Sequence, residues 1–559
     1  MDVRQSQIRE LGSPFDPDEL DGAIGLARGM ILERQKADGS WQERGDMGPF
    51  TTALSLVCLR HVGQLRADEL REGTRWLRSR QLEDGSFVGR PFASEGDLSA
   101  TGAGWAALSL GEGEENRAAA ARARAFVESH GGLAALTALA VSGDLSALLL
   151  AMVGLLDPVR VTTLPLALVL VPRLLELLSR RVVFYGLTTM ISCSLVAQGL
   201  ETPQKSHAAK SLRRAFASRE RSRALELLTL YQNRNGSLMN VVYHTALLLP
   251  ALQVAGIAAS DPRFANAVAW LRARGASDEH GLHFDVYGSD VWSTASYLRT
   301  LLITGSPRND EAVSRAVTWL LDQQCTRPHP GLTNPKPGAP RVGGWGFQAE
   351  EEAYPDCDTT STVLEALARA LMPDSPSDVA LAPSLATRVC ASIAAARGWL
   401  HAMQNPDGGW PSFFWGHPTK RPGPIMLRPL SLRWSDLPHD NPTAFVQAIT
   451  EASEHLSDPS TEDVTSRVLI ALARTGTTLQ AAEARRALDF LTEQQCPSGA
   501  WWGRWKVNYL PVTASVVTAF ARLGDDLSKD ATRRALRWIG SRQNADGGFG
   551  ETIESYRDP

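Results

Sequence analysis

The sequence predicts an all-α fold assembled from repeated helical hairpins. One short pattern recurs along the chain, and the segments between copies carry apolar residues at helical rather than alternating spacing. Trp76-Leu77 precedes Gln81 and Asp84-Gly85-Ser86-Phe87, and Trp399-Leu400 precedes Gln404 and Asp407-Gly408-Gly409-Trp410. Phe490-Leu491 precedes Gln495 and Gly499-Ala500-Trp501, and Trp538-Ile539 precedes Gln543 and Asp546-Gly547-Gly548-Phe549. Met30-Ile31 with Gln35 and Gly39-Ser40-Trp41 makes a fifth copy, and Leu228 with Gln232 and Gly236-Ser237-Leu238 a degenerate sixth. Trp319-Leu320 with Gln324 opens a seventh, whose turn lengthens before Gly343-Gly344-Trp345.

Each copy reads as the end of an amphipathic helix, a glycine turn, and an aromatic leading into the next helix. The glutamine is expected to cap backbone groups at the following helix start, with its amide stacked under the aromatic. Between copies, residues such as Thr52, Leu54, Leu56, Val57 and Leu59 keep helical spacing, and Val-, Thr- and aromatic-rich alternation is scarce.

At 559 residues the chain exceeds one ordinary domain, and a hydrophobic content of 43% supplies large cores. A net charge of -4 gives no basic field and excludes nucleic acid as the expected partner. The six cysteines contain no CxxC pair, which argues against a zinc knuckle or a disulfide scaffold and fits a reducing cytoplasm. The stretch from Met1 to Gln7 lacks the apolar core of a signal peptide. In the most apolar region, Leu145 to Leu178, Asp157, Arg160, Pro165, Pro172 and Arg173 interrupt every run. No stretch there reaches the roughly 18 to 20 residues of a spanning helix. A buried helix pair is the expectation; an interfacial membrane contact admitting a greasy substrate is the alternative.

The segment Tyr354-Pro355-Asp356-Cys357-Asp358-Thr359-Thr360 places two carboxylates two positions apart, ahead of an apolar helical pattern from Val363 to Leu371. Two carboxyls that close cannot both ionise cheaply without cationic or hydrogen-bonding support, so one tends to hold its proton. Read alone, the segment is either an acid catalyst or a helix N-terminus with capping Asp and Thr.

Three further stretches accompany the repeats: Gly343-Gly344-Trp345-Gly346-Phe347-Gln348 leading to Tyr354-Pro355-Asp356, Glu462-Asp463-Val464-Thr465, and Gly503-Arg504-Trp505-Lys506-Val507-Asn508-Tyr509-Leu510. With the repeats, they resemble the squalene-hopene cyclase and class II terpene cyclase superfamily over nearly the whole chain. The resemblance implies two α/α-barrel domains, with a γ domain inserted in a β domain. Residues 1–40 would be an N-terminal helix joining the β domain, 41–290 the γ barrel, and 291–559 the β barrel with the catalytic acid. Two lengths depart from the family. The stretch between Val196 and the Gln232 repeat is shorter than in squalene-hopene cyclases, which carry a membrane-docking segment there. The end at Ser555-Tyr556-Arg557-Asp558-Pro559 falls where members continue with another helix and a final repeat, so a longer natural protein is expected.

Protonating an unactivated alkene requires a strong acid placed on one double bond and shielded from water. The family uses Asp-x-Asp-Asp with the middle carboxyl as donor. The resemblance therefore implies Asp358 as proton donor and Asp356 as first carboxyl, with Thr359 replacing the third. Two positions after Asp463-Val464-Thr465, where squalene-hopene cyclases carry a His that hydrogen-bonds the donor pair, stands Arg467. A guanidinium favours an ionised carboxyl. Arg467 either makes Asp358 a stronger acid that is harder to reload, or pairs with Asp356 or Asp463 and leaves Asp358 neutral.

A cyclising polyene carries positive charge that aromatic faces stabilise without capturing. Positions matching family cavity aromatics are Trp292, Phe347, Phe413 and Trp505, with Tyr185 and Tyr243. Trp41, Trp410 and Trp501 belong to the repeat turns and are expected only to staple helices.

The substrate expectation leans to a prenyl diphosphate. The grounds are Thr359, the trimmed docking segment, and the loop Trp415 to Pro424, which brings Lys420 and Arg421 as diphosphate ligands, with Arg428 and Arg433 following. Glu95 and Asp97 lie where diphosphate-handling relatives carry a magnesium-associated acidic motif. Farnesyl or geranylgeranyl diphosphate would give a drimenyl- or labdane-type bicyclic diphosphate, with magnesium and without a redox cofactor. Squalene, cyclised as in hopene synthesis, is the alternative. The expected partner is a hydrophobic isoprenoid, and the expected location is cytoplasmic with peripheral contact to the inner membrane face. More remote are a protein-prenyltransferase-like barrel, for which Asp356-Cys357-Asp358 offers Asp and Cys but no matching His, and a non-catalytic helical binding module.

Overall fold

The computed structural model describes residues 17–45, 48–89, 93–139, 145–161, 163, 166–170, 184–200, 210–285, 287–328, 340–351, 353–372, 379–416, 458–524, 529–552 and 555. Among them the chain is helical, with two small antiparallel two-stranded sheets: Arg44–Gly45 on Tyr287–Gly288, and Gly275–Asp278 on Gly281–Phe284.

Two kinds of helix alternate. Pro49–His61, Leu98–Leu108 and Val242–Val254 are buried over most of their length, whereas Ala67–Ser79 buries only Gly73, Thr74, Trp76 and Leu77. A helix that is apolar all round is enclosed by others, and one with a single apolar stripe lies on the outside. The same pairing recurs later, with Cys357–Leu371 and Glu462–Arg474 enclosed while Ala482–Glu493 and Lys529–Ser541 bury one stripe. The result is two α-barrels with separate cores. One core runs from Ala53 to Phe284; the other takes residues from Val291 to Ala535 together with Trp41. Tyr354 and Phe414 cross over and bury in the first core.

The repeat turns hold the helices together by a fixed set of bonds. Gln404 Nε2 donates to the Gly408 carbonyl at 2.8 Å and to the Glu483 carbonyl at 2.9 Å. Gln35, Gln81, Gln232, Gln324 and Gln495 each make the same two bonds, to a turn glycine and to a carbonyl of a second helix. The glutamine therefore does bond backbone groups at a helix start, as at Ala312, Arg263, Glu483 and Ala531, but these are carbonyls of a later helix than the one directly after the turn. The amide of the aromatic finds a threonine hydroxyl in the following helix, as Trp345 does on Thr360, Trp410 on Thr465 and Trp501 on Thr513. Trp41, Trp410 and Trp501 are fully buried, and each indole returns a hydrogen bond to the helix before the turn, on Ile31, Leu400 and Leu491. Gly85 shows why the turn needs glycine: its φ is +87°, and a Cβ there would sit 2.6 Å from the Arg122 carbonyl oxygen.

No helix among the described residues is long and apolar enough to cross a membrane. Of the helix pair expected over Leu145 to Leu178, the described residues show the buried short helix Ser146–Met152, followed by 3₁₀ turns at Pro158–Arg160 and Leu166–Leu170. Asp157 ends helical continuity there by accepting the Val159 amide at 3.1 Å. Residues 171–183 lie outside the described set.

Candidate active site

The lengthened turn at Trp345 delivers the acid segment to the N-terminus of an enclosed helix. The Asp356 amide bonds the Trp345 carbonyl at 3.0 Å, and Asp356 then caps the helix Cys357–Leu371, its Oδ1 accepting the Thr359 amide at 2.6 Å. The next amide, Cys357, bonds the Ser412 carbonyl at 2.7 Å. The Asp458 carboxylate gathers the amides of Ser412, Phe413 and Phe414, and so fixes that loop against the helix start. Asp356 is thus a helix cap, as the bland reading had it. Asp358, two positions on, is not.

Asp358 is held by Arg467, which reaches it from the adjacent helix Glu462–Arg474. Of the three carboxyls open to it from sequence, the guanidinium takes Asp358. Asp463, on the same helix as Arg467, accepts the amides of Val464 at 3.0 Å and Trp505 at 2.8 Å. Lys506 follows Trp505, and its charge acts on Arg467, Asp358 and Asp463.

Burial, and then the neighbouring charge of Asp358, pushes the Asp356 carboxyl up to about 8. Burial also raises Asp358, against the opposing pull of Arg467. Lys506 is driven the other way, to about 8, by burial and by repulsion from Arg467. Three carboxyls, Asp356, Asp358 and Asp463, thus share a buried region with two basic groups. Full ionisation would leave an uncompensated negative charge where water cannot screen it, so the cluster retains a proton. That proton belongs to the coupled group. Arg467 stabilises the ionised form of Asp358 and so opposes the effect of burial on it.

The aromatic residues fall into groups. Trp292 and Phe347 lie 6.4 Å apart at 36°, and Phe413 and Trp505 meet edge-on at 5.9 Å. Trp505 also lies 5.2 Å beneath the Arg504 guanidinium and is 44% exposed. Tyr243 and Phe413 both pack against the first core, and the Tyr243 ring lies 4.0 Å from that of His244, tilted by 32°. The side chain of Tyr185, and all of Lys420 and Arg421 with Arg428 and Arg433, lie outside the described residues. Asp97 caps the helix Leu98–Leu108 by accepting the Ala100 amide at 2.8 Å, and Glu95 is exposed beside it. No group of three or more metal-binding side chains occurs among the described residues. The Cys357 thiol is buried and its ionisation strongly opposed, which makes it a poor zinc ligand.

Three residues of this region were not singled out from sequence: Asp458, Lys506 and Glu351. Lys506 stands inside the stretch Gly503 to Leu510, next to the aromatic that attracted notice. Asp458 and Glu351 carry no local signal.

The class of the protein follows from comparison with known proteins, on whose matched domains the Arg467-supported carboxyl cluster stands. The squalene-hopene cyclase N-terminal domain matches residues 24–226, and the C-terminal domain matches 288–418 and 430–559. A probable squalene–hopene cyclase of Sinorhizobium fredii is 26% identical over 97% of this chain and 84% of its own length. A squalene–hopene cyclase of Bradyrhizobium diazoefficiens is 25% identical over 96% and 82%. Sporulenol synthase of Bacillus subtilis is 25% identical over 86% and 75%. Among solved structures, ent-copalyl diphosphate synthase from Streptomyces platensis aligns over 95% of this chain and 94% of its own at 16% identity, with a TM-score of 0.36. The chain belongs to the squalene-hopene cyclase family and is a class II terpene cyclase.

Proposed function

We propose that Asp358 protonates the terminal double bond of a linear prenyl diphosphate and that the resulting carbocation closes rings along Trp292, Phe347, Phe413 and Trp505. The observation that carries the reaction is the contact of Arg467 with Asp358 inside the buried carboxyl cluster. In the reaction the Asp358 O–H bond breaks as a C–H bond forms at the terminal alkene carbon. The adjacent carbon takes the positive charge, and successive double bonds attack it. Ring faces stabilise the moving charge by about 1 to 2 kcal/mol each when desolvated. Loss of a proton or capture of water ends the cascade.

Thr359, in place of a third carboxyl, and the basic loop with Lys420 and Arg421 favour farnesyl or geranylgeranyl diphosphate, cyclised to a bicyclic diphosphate. Magnesium fits this reading: Glu95 and the Asp97 oxygen not used by Ala100 are oxygen donors, and such an ion completes its shell with phosphate and water. When bound, it would neutralise diphosphate charge. Squalene is the second reading, favoured by the names of the rhizobial relatives; it would call for peripheral contact with a membrane.

Incubation with squalene, farnesyl and geranylgeranyl diphosphates, with and without magnesium, tests the choice. Bicyclic diphosphates are expected, formed faster with magnesium. Turnover of squalene alone would overturn the diphosphate reading, and no product from any of them would overturn both.

A further inference from the structure

The segment from Gly503 to Asn508 runs as a strap between the turn at Trp501 and the helix Tyr509–Leu523, and it carries Trp505 and Lys506. The strap closes on itself: the Gly503 amide donates to Asn508 Oδ1 at 3.3 Å, and a Cβ at Gly503 would lie 2.4 Å from Val512 Cγ2. Near its middle, the Trp505 amide donates to Asp463 Oδ2 at 2.8 Å. That bond ties the strap to the helix that carries Arg467.

The far end of the strap is tied by a residue from another element. Asn508 begins the helix Tyr509–Leu523 and makes no side-chain cap, so the first amides there need an acceptor from elsewhere. Glu551 supplies it from the turn that follows the helix Lys529–Ser541. Its Oε2 accepts the Asn508 amide at 2.8 Å and the Leu510 amide at 2.7 Å, and its Oε1 accepts the Tyr509 amide at 3.1 Å. A carboxylate on three amides at a helix N-terminus is a charge-assisted anchor in a favourable dipole field.

Between the two anchors, packing holds the strap weakly. Trp505 is 44% exposed and Val507 43% exposed, whereas Asn508 is fully buried. The Trp505 ring meets Phe413 edge-on at 5.9 Å, and its direction follows the backbone that bears it. That backbone is fixed by Asp463 on one side and Glu551 on the other.

We propose that Glu551 is a positioning residue of the cyclase: by holding the far end of the strap it sets where the Trp505 ring stands opposite Phe413, and so how many rings close before the cation is quenched. The proposal rests on the reading of Trp505 as a cation-stabilising wall. A ring face over the path of the charge supports the cation at that point. With the face displaced, a C–H bond next to the cation breaks early, its electron pair closes a double bond, and the proton leaves to water. The product then has fewer rings.

Glu551→Gln keeps one oxygen acceptor and Glu551→Ala keeps none. In protein carrying 5-fluorotryptophan, the fluorine resonance that is missing from Trp505→Phe should shift in both variants, further in Glu551→Ala. The other indole resonances should stay in place, which reports an intact fold. With whichever of squalene, farnesyl or geranylgeranyl diphosphate the wild type cyclises, the share of products with fewer rings should rise about fivefold or more in Glu551→Ala and less in Glu551→Gln, with KM within about twofold. An unmoved Trp505 resonance would overturn the anchor. A moved resonance with an unchanged product ratio would overturn its part in specificity, and a uniform fall in rate at constant ratio would reduce Glu551 to a structural role. Trp505→Ala separates failure of the wall reading: a wild-type product ratio in that variant would sink the wall itself, while the resonance reads the anchor without any substrate.

Discussion

The turn at Phe87 in the first barrel and the turn at Trp345 in the second are built alike. Asp97 donates its amide to Phe87 as Asp356 does to Trp345, and Thr101 accepts the Phe87 amide as Thr360 accepts that of Trp345. Both aspartates cap the helix that follows, through the amide three residues on. Yet Asp97 is exposed and Asp356 is 4% exposed, and Ser99 stands where the second barrel has Asp358. A capping carboxyl is therefore shared by these two turns, whereas Thr461 and Asn508, which start the helices after the Trp410 and Trp501 turns, make no side-chain cap. The proposed acid chemistry belongs where that cap is enclosed, a second carboxyl is added two positions on, and Arg467 and Lys506 arrive from other elements.

The comparison breaks most sharply at the added carboxyl. Asp358→Asn should cut cyclisation by about a hundredfold or more while leaving the thermal midpoint nearly unchanged, because the amide keeps the shape and cannot donate a strong-acid proton. Retained turnover with an intact fold would return Asp358 to the status of Ser99.

The next effect lies in the support. Removing the guanidinium by Arg467→Gln takes away the charge that lowers Asp358, so its carboxyl should stay protonated to higher pH. The alkaline limb of the rate profile should move up by about one pH unit or more, with a lower maximum rate because the acid is weaker. A profile moving the other way would place Arg467's influence elsewhere.

The enclosed cap should also make stability depend on pH. Asp356 is raised in the folded protein from 3.8 to about 8, so the folded state binds its proton more tightly than the unfolded chain. Its contribution is fully present below about pH 4 and is lost as pH rises toward 8. In Asp356→Asn, denaturant unfolding should show that decline flattened. Asp97→Ala should cost about 1 kcal/mol as an ordinary cap.

The smallest effect concerns the glutamines. Gln404 is buried and makes two bonds, whereas Gln543 is exposed and its bond is to Gly547. Gln404→Ala should cost about 1 to 3 kcal/mol, and Gln543→Ala about 0.5 kcal/mol or less. Equal costs would mean that the repeat bonds are not what locks the helices.

Much of this was legible in the sequence because the repeat is local. Helix end, Gln, glycine turn and aromatic lie within about a dozen residues, and Asp356 and Asp358 share one helical turn. Which helix start Gln reaches was not legible because its second acceptor, such as Glu483 for Gln404, comes from a helix far along the chain. For the same reason Lys506, Asp458 and Glu351 gave no warning: their meaning depends on which distant carboxyl or amide they meet. The direction of Arg467 was open between three carboxyls until the packing of Glu462–Arg474 against Cys357–Leu371 placed it on Asp358.

The central claim is that the proton on the product comes from an acid exchanging with water at Asp358. Cyclisation in D₂O followed by mass spectrometry and NMR of the product tests it most directly. The account predicts one deuterium per molecule from the initiating step, located on the terminal gem-dimethyl-bearing ring, and no product from Asp358→Asn. Cyclised product without deuterium there, or with deuterium formed equally by Asp358→Asn, would contradict it.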